Sequence, residues 1–154
     1  MKLLKEVKTY ERLQHLMTEV DSVNLALSGD TSEDIAALIE ESAPSFAPIL
    51  IVHLSNQNIV DKESAIATLT ELTEALEGIE SLELTLAFEP TEAVTNTLYS
   101  WVAENVDKNV VLDFRRNPSI MSGALVSYKG KYGDFSGAKD LKEAFVGLRK
   151  ELKI

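Results

Sequence analysis

"SLELTLAFEP", residues 81–90, is where the chain changes its period. Leu82, Leu84, Leu86 and Phe88 alternate with Glu83, Thr85 and Ala87, the pattern of a strand with one face buried. Immediately before it, "KESAIATLTELTEALEGI" (62–79) carries Ile66, Leu69, Leu72, Ala75, Leu76 and Ile79 at spacings of three and four, the stripe of an amphipathic helix. A switch from period 3.6 to period 2 within a few residues predicts an α+β chain. The predicted boundary lies between Gly78 and Ser81, with a helical domain over 1–78 and a small sheet-bearing domain over 79–154.

Upstream, the reading is helical throughout. Leu3, Leu4, Val7, Tyr10, Leu13, Leu16, Met17, Val20, Val23 and Leu27 predict one helix, or two abutting ones, over 2–27. Ser28-Gly29-Asp30 stops it. Thr31 or Ser32 is placed to cap the next helix, with Glu33 and Asp34 in its first turn and Ile35, Leu38 and Ile39 on its apolar side. "FAPILIVHLSNQNIV" (46–60) has the β-branched content of a buried strand. Its setting between helices, and Pro48 near its start, favour a short buried helix instead. Asp61 caps the 62–79 helix, and Gly78 lies near its end, where a left-handed residue costs little.

Downstream, Glu89-Pro90 ends the first strand, and Thr91 caps a helix through Val94, Leu98, Trp101, Val102 and Val106. A second strand follows at Val110–Phe114, a third at Ala124–Tyr128, a Gly130 turn, and a short segment Lys131–Phe135. A last helix runs from Ala138 to about Leu148. The C-terminal half therefore reads as a small β-α-β-β sheet unit closed by a helix.

The totals narrow the function. The chain has 154 residues, no cysteine and two histidines, which removes thiolate metal sites, disulfides and cysteine nucleophiles, and leaves little for an imidazole metal site. Lack of cysteine fits a cytosolic protein. No apolar run is long enough to span a bilayer, and no secretory signal pattern opens the chain. A net charge of −10 argues against nucleic acid as the main partner. Residues 1–78 carry a net −9 and residues 79–154 a net −1, so the two halves present different surfaces.

No chemical constellation emerges. Gly123 opens a strand rather than a helix, and no Gly-Lys-Ser/Thr follows, so a phosphate cradle is not indicated. Gly130 and Gly133 are assigned to a hairpin, where positive φ is the usual requirement. Ser119 and Ser122 lack the Gly-x-Ser-x-Gly setting of a nucleophile. Asn117-Pro118-Ser119 has turn chemistry. His15, His53, Asp113 and Asp134 have no partner in sequence for acid–base work. No catalytic, cofactor or metal-binding residue is assigned. The Glu71, Glu74 and Glu77 series reads as a solvated helix face, or one that meets a basic helix. Arg115 and Arg116 form the one short basic cluster mid-chain. With Ile120 and Met121 in the loop beyond, they are the candidate partner-binding residues, Met being adaptable at such contacts.

The order and spacing of these features resemble the delta subunit of F-type ATP synthase (the OSCP family). The family's loop Asp-Pro-Ser-Leu-Ile-Gly-Gly is similar to Asn117-Pro118-Ser119-Ile120-Met121-Ser122-Gly123, with Asn117 for Asp and Ser122 for the first Gly. Asp134-Phe135-Ser136-Gly137 resembles the family's Asp-Gly-Ser before its last helix. "ILIVHLSNQNIV" (49–60) and "SAIATLTELTEALEGIESLELTLAFEPTEA" (64–93) are similar to its buried helix, long helix and opening strand. The resemblance covers about 44–148, and residues 1–43 are shorter than the family's opening helices. It implies a reduced N-terminal helical bundle followed by the sheet unit. The implied role is a non-catalytic peripheral-stalk (stator) subunit without an active site or cofactor, supporting proton-coupled ATP synthesis. The implied partners are the N-termini of the alpha subunits and the C-terminal helices of the b subunits. Membrane association would come only through the complex, at the cytoplasmic face of the cell membrane. The alternative is a small ferredoxin-like regulatory or ligand-binding module.

Overall fold

A computed structural model describes residues 5–30, 32–137 and 141–152. Among these residues six helices and four strands run in the order α1 (Tyr10–Leu27), α2 (Ile35–Ser42), α3 (Ala47–Asn56), α4 (Lys62–Glu77), β1 (Glu80–Leu86), α5 (Glu92–Asn105), β2 (Val110–Arg116), β3 (Ala124–Tyr128), β4 (Lys131–Phe135) and α6 (Leu141–Leu152). The chain is α+β and divides into two units. Arg12–Gly78 form a helical unit; the residues up to Glu11 and those from Ile79 onward form a sheet unit.

In the helical unit, α1 buries Leu13, Leu16, Val20, Val23 and Leu27, the three- and four-residue stripe of an amphipathic helix. Helix α3, the ambiguous segment, is a helix with Pro48 in its first turn and Leu50 and Leu54 buried. Phe46 just ahead of it is fully buried. The carboxylate of Glu19 on α1 accepts hydrogen bonds from the backbone N–H groups of Ser45 (3.2 Å) and Phe46 (3.1 Å). These donors precede the first turn of α3, where intrahelical partners are lacking. Asp61 caps α4 by accepting from Ser64 N at 2.8 Å. Helix α2 departs from expectation: it starts at Ile35 with Asp34 at its N-cap and no side-chain cap bond. Thr31 lies outside the described residues, and Ser32 precedes the helix. Gly78 ends α4 with φ of −77°, in the right-handed region, so no left-handed cap is needed.

The sheet has the order β2-β1-β3-β4. β1 pairs parallel to β2, with Leu82 opposite Leu112, and antiparallel to β3, with Leu84 opposite Val126. α5 supplies the crossover that a parallel pair requires. β3 and β4 form a hairpin through Lys129 (φ 49°) and Gly130 (φ 74°), the two left-handed residues of a type I′ turn. Gly133 is not in that turn; it lies within β4 opposite Val126. One sheet face carries Leu82, Leu84, Leu86, Val110, Leu112, Ala124, Val126 and Tyr128, packed in one cluster with Leu98, Tyr99 and Val102 of α5 and Ala144 of α6. α6 comes close to β4 at Gly147, where the Phe135 ring occupies the space a Cβ would need. A β-α-β unit extended by a hairpin differs from the β-α-β-β-α-β order of a ferredoxin-like sheet, since a hairpin stands in place of the second crossover helix.

Two further expectations are corrected, and one falls outside the described residues. The helix predicted over 2–27 begins only at Tyr10. Ahead of it, the carbonyl of Lys8 accepts from Leu112 N at 2.9 Å, and Thr9 bridges Leu112 in parallel. Val7 is fully buried. The first described residues therefore belong with the sheet, whose β2 edge offers unpaired backbone groups. Leu3 and Leu4 lie outside the described residues. Phe88 does not extend the alternation of β1: the strand ends at Leu86, and Phe88 is 45% exposed. The last helix is described from Leu141, and its predicted start at Ala138 lies outside the described residues.

Candidate partner-binding site

The end of β2 and the loop after it hold the four candidate residues. The loop is tied to the sheet by Asn117, whose N–H donates to Leu86 O at 2.8 Å. Its side-chain oxygen accepts from Ser119 N (3.0 Å), and its carbonyl accepts from Ile120 N (3.1 Å). These bonds close an Asx turn, the local chemistry expected of Asn-Pro-Ser. Gly123, with φ of 74°, then turns the chain into β3. The turn separates neighbours that sequence alone groups together. Ile120 is 7% exposed and Met121 is 98% exposed. Ile120 thus anchors the loop, while Met121 stands in solvent.

The arginines separate likewise. Arg115 forms ion pairs with Asp113 (3.1 Å) and Glu83 (3.5 Å) on the sheet surface. Arg116 is exposed and, among the described residues, has no ion-pair partner. Arg116 lines an open cleft of about 410 Å³ with Thr9, Glu11, Phe88, Pro90 and Phe114. The cleft lies at the carboxyl ends of the parallel strands β1 and β2, the place where open α/β sheets receive ligands. Phe88 is the residue that sequence reasoning misplaced. Pro90 and the cap Thr91 show that the strand must end before them but not at which residue, so period alone carried Phe88 into β1.

The helical unit has its own concavity, about 360 Å³, between α2 and α3, with Ile35, Ile39, Ile51, Leu54, Ile59 and Val60 among its lining. Val60 is 86% exposed. Residues 12–78 carry 12 acidic and 2 basic side chains, a net −10, while the rest of the chain is balanced at 13 and 13. The whole net charge therefore sits on the helical unit.

The groups considered for chemistry are engaged locally. His15 lies 3.2 Å from Glu19 on α1, and His53 lies 3.2 Å from Gln57, the residue just past the end of α3. Asp134 accepts from Ser136 N at 3.0 Å, and the Ser136 side chain and backbone together hold its carboxyl below the usual range. Ser122 Oγ donates to Ser136 O at 3.3 Å. Glu80 is held low by Lys129 at 2.9 Å, with Tyr128 donating to the same carboxylate at 3.0 Å. Among the described residues no group of three or more His, Cys, Asp or Glu could hold a metal ion. The arrangement offers two surfaces with different charge and shape.

The model of one family, the ATP synthase delta (OSCP) subunit, matches residues 3–144. The chain belongs to that family. Membership makes it a structural peripheral-stalk subunit of F-type ATP synthase, associated peripherally with the F1Fo complex. The match includes the opening residues 3–43, which lie upstream of the stretch where the sequence itself shows the resemblance. No curated protein gives a significant match. Among the described residues no helix is long and apolar enough to cross a membrane.

Proposed function

We propose that this subunit links the catalytic head to the stalk built by the b subunits, on the cytoplasmic face of the cell membrane. The helical unit holds N-terminal segments of the alpha subunits. The sheet unit meets the C-terminal helices of the b subunits. Its work is mechanical: it resists torque while the rotor turns, and it makes or breaks no covalent bond. The family match over 3–144 carries the reading.

The two surfaces support it. A net −10 unit with an apolar groove suits an amphipathic helix bearing Lys and Arg. The balanced sheet unit offers Phe88, Phe114, Arg116 and Met121, aromatic, Arg and Met side chains of the kind enriched at interfaces. Reconstitution of the synthase with and without this chain tests the role. Loss of coupling between proton flow and synthesis is expected without it, and full coupling in its absence would remove the proposal. Binding to peptides from the C-terminal helices of the b subunits should weaken at least tenfold in a Phe88→Asp, Met121→Asp double variant. Binding to peptides from the N-termini of the alpha subunits should stay unchanged.

A further inference from the structure

The chain leaves the sheet unit at Glu11 and re-enters it at Ile79, so the helical unit is an insertion. The second crossing runs directly into β1, an interior strand of the sheet. The first depends on a short segment that no strand encloses. Val7 is fully buried, Lys8 O accepts from Leu112 N, and Thr9 bridges Leu112 in parallel with β2. Lys8 Nζ also donates to Asn96 Oδ1 on α5 at 2.7 Å. These observations concern one site on the outer edge of β2, and each fastens the same three residues. An apolar anchor, an edge hydrogen bond and a side-chain bond to the crossover helix make a fitted attachment.

We propose that Val7–Thr9 is a latch. Docked, it holds the start of α1 to the β2 edge, and the inserted helical unit is fastened at both of its chain crossings. Released, it frees the opening residues from the β2 edge, and the covalent crossing at Gly78–Ile79 stays. The inference rests on the fold and not on the stator role, and its test uses the isolated chain.

Hydrogen exchange on the full chain reads the latch at the Leu112 amide, whose acceptor is Lys8 O. Val7→Asp should speed exchange at Leu112 at least tenfold while the β1 amides keep their protection. Val7→Ala and Asn96→Ala are milder variants should the aspartate prevent folding, and each should give a severalfold increase. A second measurement places a protease site between Gly78 and Ile79 and cuts the folded protein there. The two pieces should remain together on a sizing column and separate with Val7→Asp. Unchanged exchange at Leu112 in all three variants overturns the proposal. So does separation of the cut wild-type protein, or its cohesion regardless of Val7.

Discussion

Glu19 shows how a single charged side chain can hold a helical unit in shape. It is buried, and it accepts two backbone N–H groups ahead of α3, with His15 beside it. Removing the carboxylate takes away two charge-assisted bonds, although Phe46 N–H keeps Ala43 O as a second acceptor and Ser45 is open to water, so Glu19→Ala should cost on the order of 1–2 kcal/mol in a denaturant melt. Its importance is not visible in the sequence, because a Glu among helical polar positions reads as solvated surface. Asp61, by contrast, is legible as a cap from its place before an apolar stripe. Its bonds to Ser64 lower its pKa below the ordinary 3.8. A depressed carboxyl contributes stability above its unfolded value and loses it as pH falls through the folded one. Asp134 behaves alike, and Glu80 does so from an ordinary 4.5. Stability should therefore decline on acidification below about pH 4.5. Asp61→Asn keeps the cap acceptor but not the charge. Its thermal melts should match wild type near neutrality and fall less steeply in acid.

At the scale of elements, period and turn chemistry are enough wherever a segment's partner lies nearby in sequence. The Thr91 cap and the hairpin glycine fall in this class, and the β1 alternation is legible up to Leu86 although its partner strands lie well downstream. Gly130→Ala should destabilise the hairpin by about 1–2 kcal/mol, since its φ of 74° suits residues without a Cβ. Gly147→Ala pushes against the Phe135 ring and should cost about 1–3 kcal/mol, measurable as a lower melting midpoint. The failures have a common physical cause. Val7 and Tyr10 fit helical spacing, yet what determines the conformation of Val7–Thr9 is the β2 edge some hundred residues later. Ile120 and Met121 are adjacent and similar in kind, and only the Asx turn decides which one is buried. Local pattern carries no information on either point.

For the whole molecule, charge separates what the units can do. With a net −10 on residues 12–78 and none on the remainder, salt should act on one interface and spare the other. Raising ionic strength shortens the Debye length from about 10 Å at 0.1 M to about 3 Å at 1 M. If the helical unit holds basic segments of the alpha subunits, as proposed, their association should slow by roughly tenfold or more over that range. Association of segments from the b subunits with the sheet unit should change little. Stopped-flow titrations against each peptide would measure both. The α+β class is readable from period alone, and the charge asymmetry is already plain as −9 on residues 1–78 against −1 on 79–154; assigning residues up to Glu11 to the sheet only sharpens it.

That assignment also dictates an order of events during synthesis. Val7–Thr9 leave the ribosome early, but their acceptor strand is translated about a hundred residues afterwards. The helical unit can be complete while the opening residues still wait in solvent. A fragment starting at Ile79 never receives them, so its β2 edge stays bare and open to pairing with a neighbouring copy. Supplied alone, that half should self-associate, and a peptide spanning the first eleven residues should suppress it.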